Sequence, residues 1–150
     1  MQPLSQAEKA YLQEWLEVAD LDLRAAERML ADDPAAYGYH LPFVCQQAVE
    51  KYCKGVLLAQ GNSFPRVHDL PELLNQLKPL FSFSAAELDV ADKLADYAVE
   101  TRYPPHTRIT LAEMQEAVRI ARHFQTRLRA FIHAALALMK VRWCSVLNFT

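Results

Sequence analysis

Glycine is scarce in this chain, with three residues in 150. A turn-rich β architecture draws on many more, while alanine, leucine and glutamate are plentiful and favour helix. The same scarcity excludes a glycine-rich loop that cradles phosphate, so any nucleotide must be held by side chains. Cysteine is also rare: Cys45, Cys53 and Cys144 have neither an even count nor metal-ligand spacing. Cys45 and Cys53 fall in one helical pattern and read as two buried small residues rather than a disulfide. Long apolar runs are missing too. The stretch Ala134–Phe149 comes nearest, with Trp143 and Phe149, but Lys140 and Arg142 interrupt it and it falls short of a clean membrane span. The first twenty residues are amphipathic and charged rather than signal-like, which makes the cytoplasm the expected compartment.

What is present suits one domain with a real core. Hydrophobic residues make up 52% and charged residues 23% of the chain, as in folded globular proteins. The formal charge of −2 hides an asymmetry. Residues 1–101 carry eight Lys/Arg against sixteen Asp/Glu, whereas residues 102–150 carry eight against two. Such a basic segment attracts polyanions, or it neutralises the acidic part of its own fold or of a dimer mate.

Four helix starts share one grammar. Ser5 with Glu8, Ser84 with Glu87, and Thr110 with Glu113 are capping boxes, and Asp69 with Glu72 is a variant. The first helix is expected from about Ser5 to Ala31, with Leu12, Leu16, Ala19, Leu23, Ala26 and Leu30 as its seam and Trp15 and Val18 widening that face. Asp20 and Asp22 are assigned to its wet face. The second runs from about Leu41 to Gln60, with Leu41, Cys45, Ala48, Tyr52, Gly55 and Ala59 inward and Glu50–Lys54 as an i,i+4 pair. The third is short, about Asp69 to Leu77, with His68 packing or hydrogen-bonding beside its cap. The fourth spans about Ser84 to Thr101 with Leu88, Ala91, Ala95 and Ala98 as its row. The fifth runs from about Thr110 to at least Ala135 on Leu111, Met114, Val118, Ala121, Leu128 and Ile132. The expected fold is all-α: an up-and-down antiparallel bundle of about five helices over residues 5–135, followed by an apolar tail, 136–150, that extends the last helix or contacts a dimer mate.

The stretch Arg102-Tyr103-Pro104-Pro105-His106 concentrates chemistry. Two prolines stop the incoming helix and set a stiff corner between a fixed anion receptor and an imidazole that titrates near neutrality. Arg102 can grip phosphate, Tyr103 can stack on a base, and Gln46 or Gln47 can read its edge or hydrogen-bond a partner chain. On the fifth helix, Arg119, Arg122 and Arg129 form a basic face able to lie along RNA phosphates, or an ordinary hydrated surface. The corner holds no carboxylate cluster or Cys/His set, so no metal or other cofactor is expected there.

Taken together, Cys45-Gln46-Gln47-Ala48-Val49-Glu50-Lys51, then His68-Asp69-Leu70, then Arg102-Tyr103-Pro104 resemble the HEPN (higher eukaryotes and prokaryotes nucleotide-binding) domain family over roughly residues 5–132. The resemblance implies a helical bundle that forms homodimers. It also implies partnership with a minimal nucleotidyltransferase, often as a toxin–antitoxin pair, and binding of nucleotide or RNA. Other members are metal-independent ribonucleases marked by Arg and His, which here would be Arg102 and His106 acting from a dimeric site. Their spacing is three residues where those enzymes have four to six, and position 108 is Arg108 where the adenylylated toxins carry Tyr. The enzymatic reading therefore stands beside the binding reading as an alternative. The small-residue seam of the second helix and the apolar tail are the surfaces expected to pair two copies.

Overall fold

Three of the four caps close reciprocally. In the computed structural model, which describes residues 4–38, 40–64, 68–100, 104 and 108–137 (98 and 100 in backbone only), Ser5 accepts from the Glu8 amide while Glu8 accepts from the Ser5 amide at 2.7 Å. Ser84 with Glu87 and Thr110 with Glu113 repeat the arrangement. Asp69 accepts from the Glu72 amide at 3.1 Å. These caps open all but the second of five helices, which differ from the expected limits by a residue or so: α1 (Gln6–Asp32), α2 (His40–Ala59), α3 (Leu70–Leu77), α4 (Ala85–Glu100) and α5 (Leu111–Ala137). Among the described residues there is no strand. Past the end of α2, Gly61 takes a positive φ of 75° and Asn62 donates to the Leu57 carbonyl, a left-handed cap that suits glycine.

Side-chain pairings give the direction of each helix. Asp20 and Asp22 of α1 meet Tyr52 and Lys51 of α2, so these two run antiparallel. Asp20 also meets Arg129, and Glu27 meets Arg122, so α1 and α5 are antiparallel. Glu87 meets Arg127 and Lys93 meets Glu116, so α4 opposes α5. It follows that α2 and α5 run parallel at the centre. The α2 helix packs against all four others and is buried nearly all round. Its small residues serve that packing: a Cβ on Gly55 would come 2.9 Å from Ile132 Cδ1 and 3.8 Å from Leu12 Cδ1. The seam expected to pair two copies is therefore filled by the chain's own α1 and α5.

Three other core assignments shift. On α5 the inward residues are Met114, Ala117, Ile120, Ala121, Phe124, Leu128, Ile132 and Ala135, while Leu111 points outward. On α4, Leu94 and Tyr97 join Ala91 in the core. On α1 the seam from Leu12 to Ala26 is buried as expected, but Val18 is 43% exposed and turns away from it, as do Tyr11 and Leu21. Among the described residues no helix is long and apolar enough to cross a membrane.

Candidate phosphate-binding cleft

Two polar systems radiate from α2. The first is buried. Glu50 (3% exposed) and Lys54 (4%) pair at 2.8 Å rather than lying on the surface. The Gln46 amide donates to Glu50 and to the His68 carbonyl, and the Gln47 amide donates to Gln46 Oε1 at 2.8 Å. His68 Nδ1 stands 2.9 Å from Glu50, and Lys54 sits over the Phe64 ring at 5.3 Å. Burial raises the Glu50 carboxyl, but hydrogen bonds from Lys54, Gln46 and His68 outweigh this and hold it below its ordinary range. The glutamine pair thus fastens the α2–α3 connection to the core, and Gln46 is not open to a base edge. Burial pushes the Cys45 thiol up to about 12 and raises Cys53 as well, so both are inert core residues.

The second system opens to solvent. Asp20, expected on the wet face of α1, is instead a junction. It accepts from Tyr52 Oη, from Gln125 Nε2 at 3.4 Å, and from Arg129 Nε at 3.1 Å to both oxygens, with Arg129 Nη2 at 3.0 Å. Burial raises the Asp20 carboxyl, and the bonds from Arg129 and Tyr52 bring it below its usual value. Asp22 pairs with Lys51 in the same way, so neither aspartate is a free surface charge. No sequence pattern on α1 alone betrays this, because the partners come from α2 and α5.

The result is a cleft of about 550 Å³ between α1 and α5, lined by Asp20 and Arg24 from one side and by Arg122, Gln125, Thr126, Arg129, Ala130 and His133 from the other. Along α5, Arg122, Thr126, Arg129 and His133 stand at helical spacing in one row roughly 16 Å long at 1.5 Å per residue. Asp20 fixes the Arg129 guanidinium through Nε and Nη2, leaving Nη1 for a ligand. Arg122 pairs with Glu27, while Arg24 is exposed and has no ion pair with a described residue. Asp20 answers Arg129 and Glu27 answers Arg122, so Arg24 is the guanidinium left over and gives the cleft its net positive charge.

Of the sequence-derived candidates, the fold brings Arg122 and Arg129 into this cleft and adds Arg24 and His133, which sequence reasoning passed over. Arg119 lies outside it, 76% exposed in its side chain and 3.8 Å from Glu116. Gln46 and Gln47 belong to the buried system. Arg102, Tyr103 and His106, and the tail from residue 138, lie outside the described residues. Among those described, no group of three His, Cys, Asp or Glu side chains is placed to hold a metal ion.

An all-α module of five helices, with a central helix sheathed by its neighbours and a cationic cleft on one flank, is the class that fold and site define. The HEPN domain model matches residues 12–130, and the chain belongs to that family. Its fold is similar to TT1696 from Thermus thermophilus, at 29% identity and a TM-score of 0.66, covering 83% of this chain and 97% of that one. It is also similar to ST0689, an archaeal HEPN homologue, at 24% identity and a TM-score of 0.64, covering 88% and 99% respectively. No curated protein matches the chain.

Proposed function

We propose that this chain is a HEPN module that binds nucleotide or RNA phosphate and acts with a small nucleotidyltransferase as one half of a toxin–antitoxin pair. The observation that carries the binding half is the α1–α5 cleft, where Arg24, Arg122, Arg129 and His133 converge around a single aspartate. Arg102 and Tyr103 add a phosphate grip and a stacking surface at the proline corner. The row on α5 is longer than a single phosphate group, which favours a strand over a mononucleotide. Single-stranded RNA labelled at its 5′ end should bind in fluorescence anisotropy, and Arg24→Gln with Arg122→Gln should weaken it tenfold or more while helicity is unchanged. Affinity untouched by the pair of substitutions would remove the cleft from the reading. A reading frame encoding a nucleotidyltransferase beside this one, and its co-purification with this chain, tests the partnership.

Arg102 and His106, four apart in the sequence, favour a second reading, a ribonuclease that uses the 2′-hydroxyl of RNA as nucleophile. His106 would move the proton and Arg102 would donate two hydrogen bonds to the phosphorane oxygens. His106→Ala and Arg102→Ala should each lower cleavage by roughly 10²- to 10⁴-fold, with 2′,3′-cyclic phosphate ends and no effect of chelator. Purified protein that cleaves RNA no faster than its His106→Ala variant would rule this reading out.

A further inference from the structure

Four of the six exposed large apolar side chains among the described residues lie along one strip: Tyr11, Val18 and Leu21 on the outward face of α1, and Tyr37 just past its end. Tyr37 lines a pocket of about 530 Å³ there, with Ala25, Arg28, Met29, Ala31 and Asp32. Nearer the start of α1, Glu14 and Glu17 are exposed, and neither has an ion pair with a described residue.

The last helix delivers the chain to the start of this strip. The pairs Asp20–Arg129 and Glu27–Arg122 hold α1 and α5 in one antiparallel register, which sets Ala137, where α5 closes, level with Leu12. Residues 138–150 carry Lys140 and Arg142 and no acid. Met139, Val141, Trp143, Leu147 and Phe149 fall on odd positions, whereas Lys140, Arg142, Asn148 and Thr150 fall on even ones. Leu138, Ser145 and Val146 depart from that order. Alternation with period two puts apolar side chains on one side of an extended segment, not on one side of a helix.

We infer that residues 138–150 turn back and lie extended along the outward face of α1 of the same chain. Charge and length agree on one register. Residues 138–141 span about 13 Å at 3.3 Å per residue, enough to pass over the solvent side of a helix about 10–12 Å across. Lys140 and Arg142 then meet Glu17 and Glu14. From Arg142 to Phe149 is about 23 Å of extended chain, and from Glu14 to Met29 is about 23 Å of helix at 1.5 Å per residue. Phe149 therefore arrives at the pocket beside Tyr37, while Trp143 lies over Val18 and Leu147 over Ala25. The segment covers an apolar strip that the rest of the fold leaves in water.

Crosslinking within the full chain tests the register, with Cys144→Ser removing the native thiol outside the core and Cys45 and Cys53 buried. Ala31→Cys with Thr150→Cys should close a disulfide inside one chain, read as a reduction-sensitive mobility shift at monomer mass. Gln6→Cys with Thr150→Cys should not, because position 6 lies about 38 Å from position 31 along α1. Glu14→Arg with Glu17→Arg should lower the Ala31→Cys yield tenfold or more, and adding Lys140→Glu with Arg142→Glu should restore it. Chains bearing Ala31→Cys alone, mixed with chains bearing Thr150→Cys alone, should give no joined pair; a joined pair would put the segment on another molecule and overturn the inference. Equal yields at positions 6 and 31 would overturn it as well, as would a yield that the charge reversal leaves unmoved. No disulfide at either position would do the same, and would fit a segment that prolongs α5 away from α1.

Discussion

At the scale of single residues, the Glu50–Lys54 pair matters most for stability. In an isolated helix such a pair contributes a few tenths of a kcal/mol. Here both groups are buried, so removing one charge strands the other. Glu50→Gln should cost about 3–5 kcal/mol in denaturant melts. Glu50→Gln combined with Lys54→Met should recover most of that loss, since a neutral pair of similar volume carries no charge desolvation. A double variant no more stable than the single one would show that His68 and Gln46, not the charges, hold the site. The sequence displays the four-residue spacing of this pair but not its burial, because Phe64 and His68 fold back over it from the α2–α3 connection.

At the scale of elements, two joints decide how the helices meet. Glu87 caps α4 through Ser84 and also receives His123 and Arg127 from α5, while Arg127 lies over the Phe83 ring at 5.1 Å. Burial raises the Glu87 carboxyl, but these donors bring it down to about 2 from its ordinary 4.5. A carboxyl depressed on folding contributes stability that is complete above 4.5 and is lost as pH falls toward about 2. Glu87→Gln should therefore flatten the acid limb of the stability profile between those values and leave its neutral-to-alkaline shape intact; thermal melts from pH 2 to 7 measure it. The other joint is Gly55. Its missing Cβ lets α2 approach Ile132 of α5 and Leu12 of α1, so Gly55→Val should destabilise by about 1–3 kcal/mol through overpacking. Gly55→Ala should be far milder, because the atom it meets is the movable end of Ile132.

At the scale of the whole molecule, charge is arranged to be mostly self-neutralised and to leave one cationic flank. The basic segment after residue 101 sends Arg122 to Glu27, Arg127 to Glu87 and Arg129 to Asp20, so it first answers the acidic helices of its own fold. Among the described residues, Arg24 in the α1–α5 cleft, Arg108 and Arg119 stay exposed to solvent beyond these pairs. If the cleft holds single-stranded RNA through its phosphates, log affinity should fall linearly with log salt. Arg24→Gln should then reduce that slope by about 0.7, the share of one neutralised phosphate. Binding insensitive to salt would point to base stacking instead.

The sequence by itself determined the helices and their caps. Capping boxes and three-four apolar steps act within a few residues, so α1 through α5 were legible almost to the residue. It also picked out Arg122 and Arg129, because a basic row on one helix is a local pattern. It placed the inward seam of α1 from Leu12 to Ala26 but widened that face with Val18, which the positions of α2 and α5 leave exposed. It could not turn Asp20 from a surface acid into the anchor of Arg129, or join Arg24 to His133, because those relations exist only once α1 and α5 lie antiparallel. Spacing within a helix is set by backbone geometry, whereas the charge and water a side chain meets are set by helices distant in the chain, and that part the tertiary structure decided.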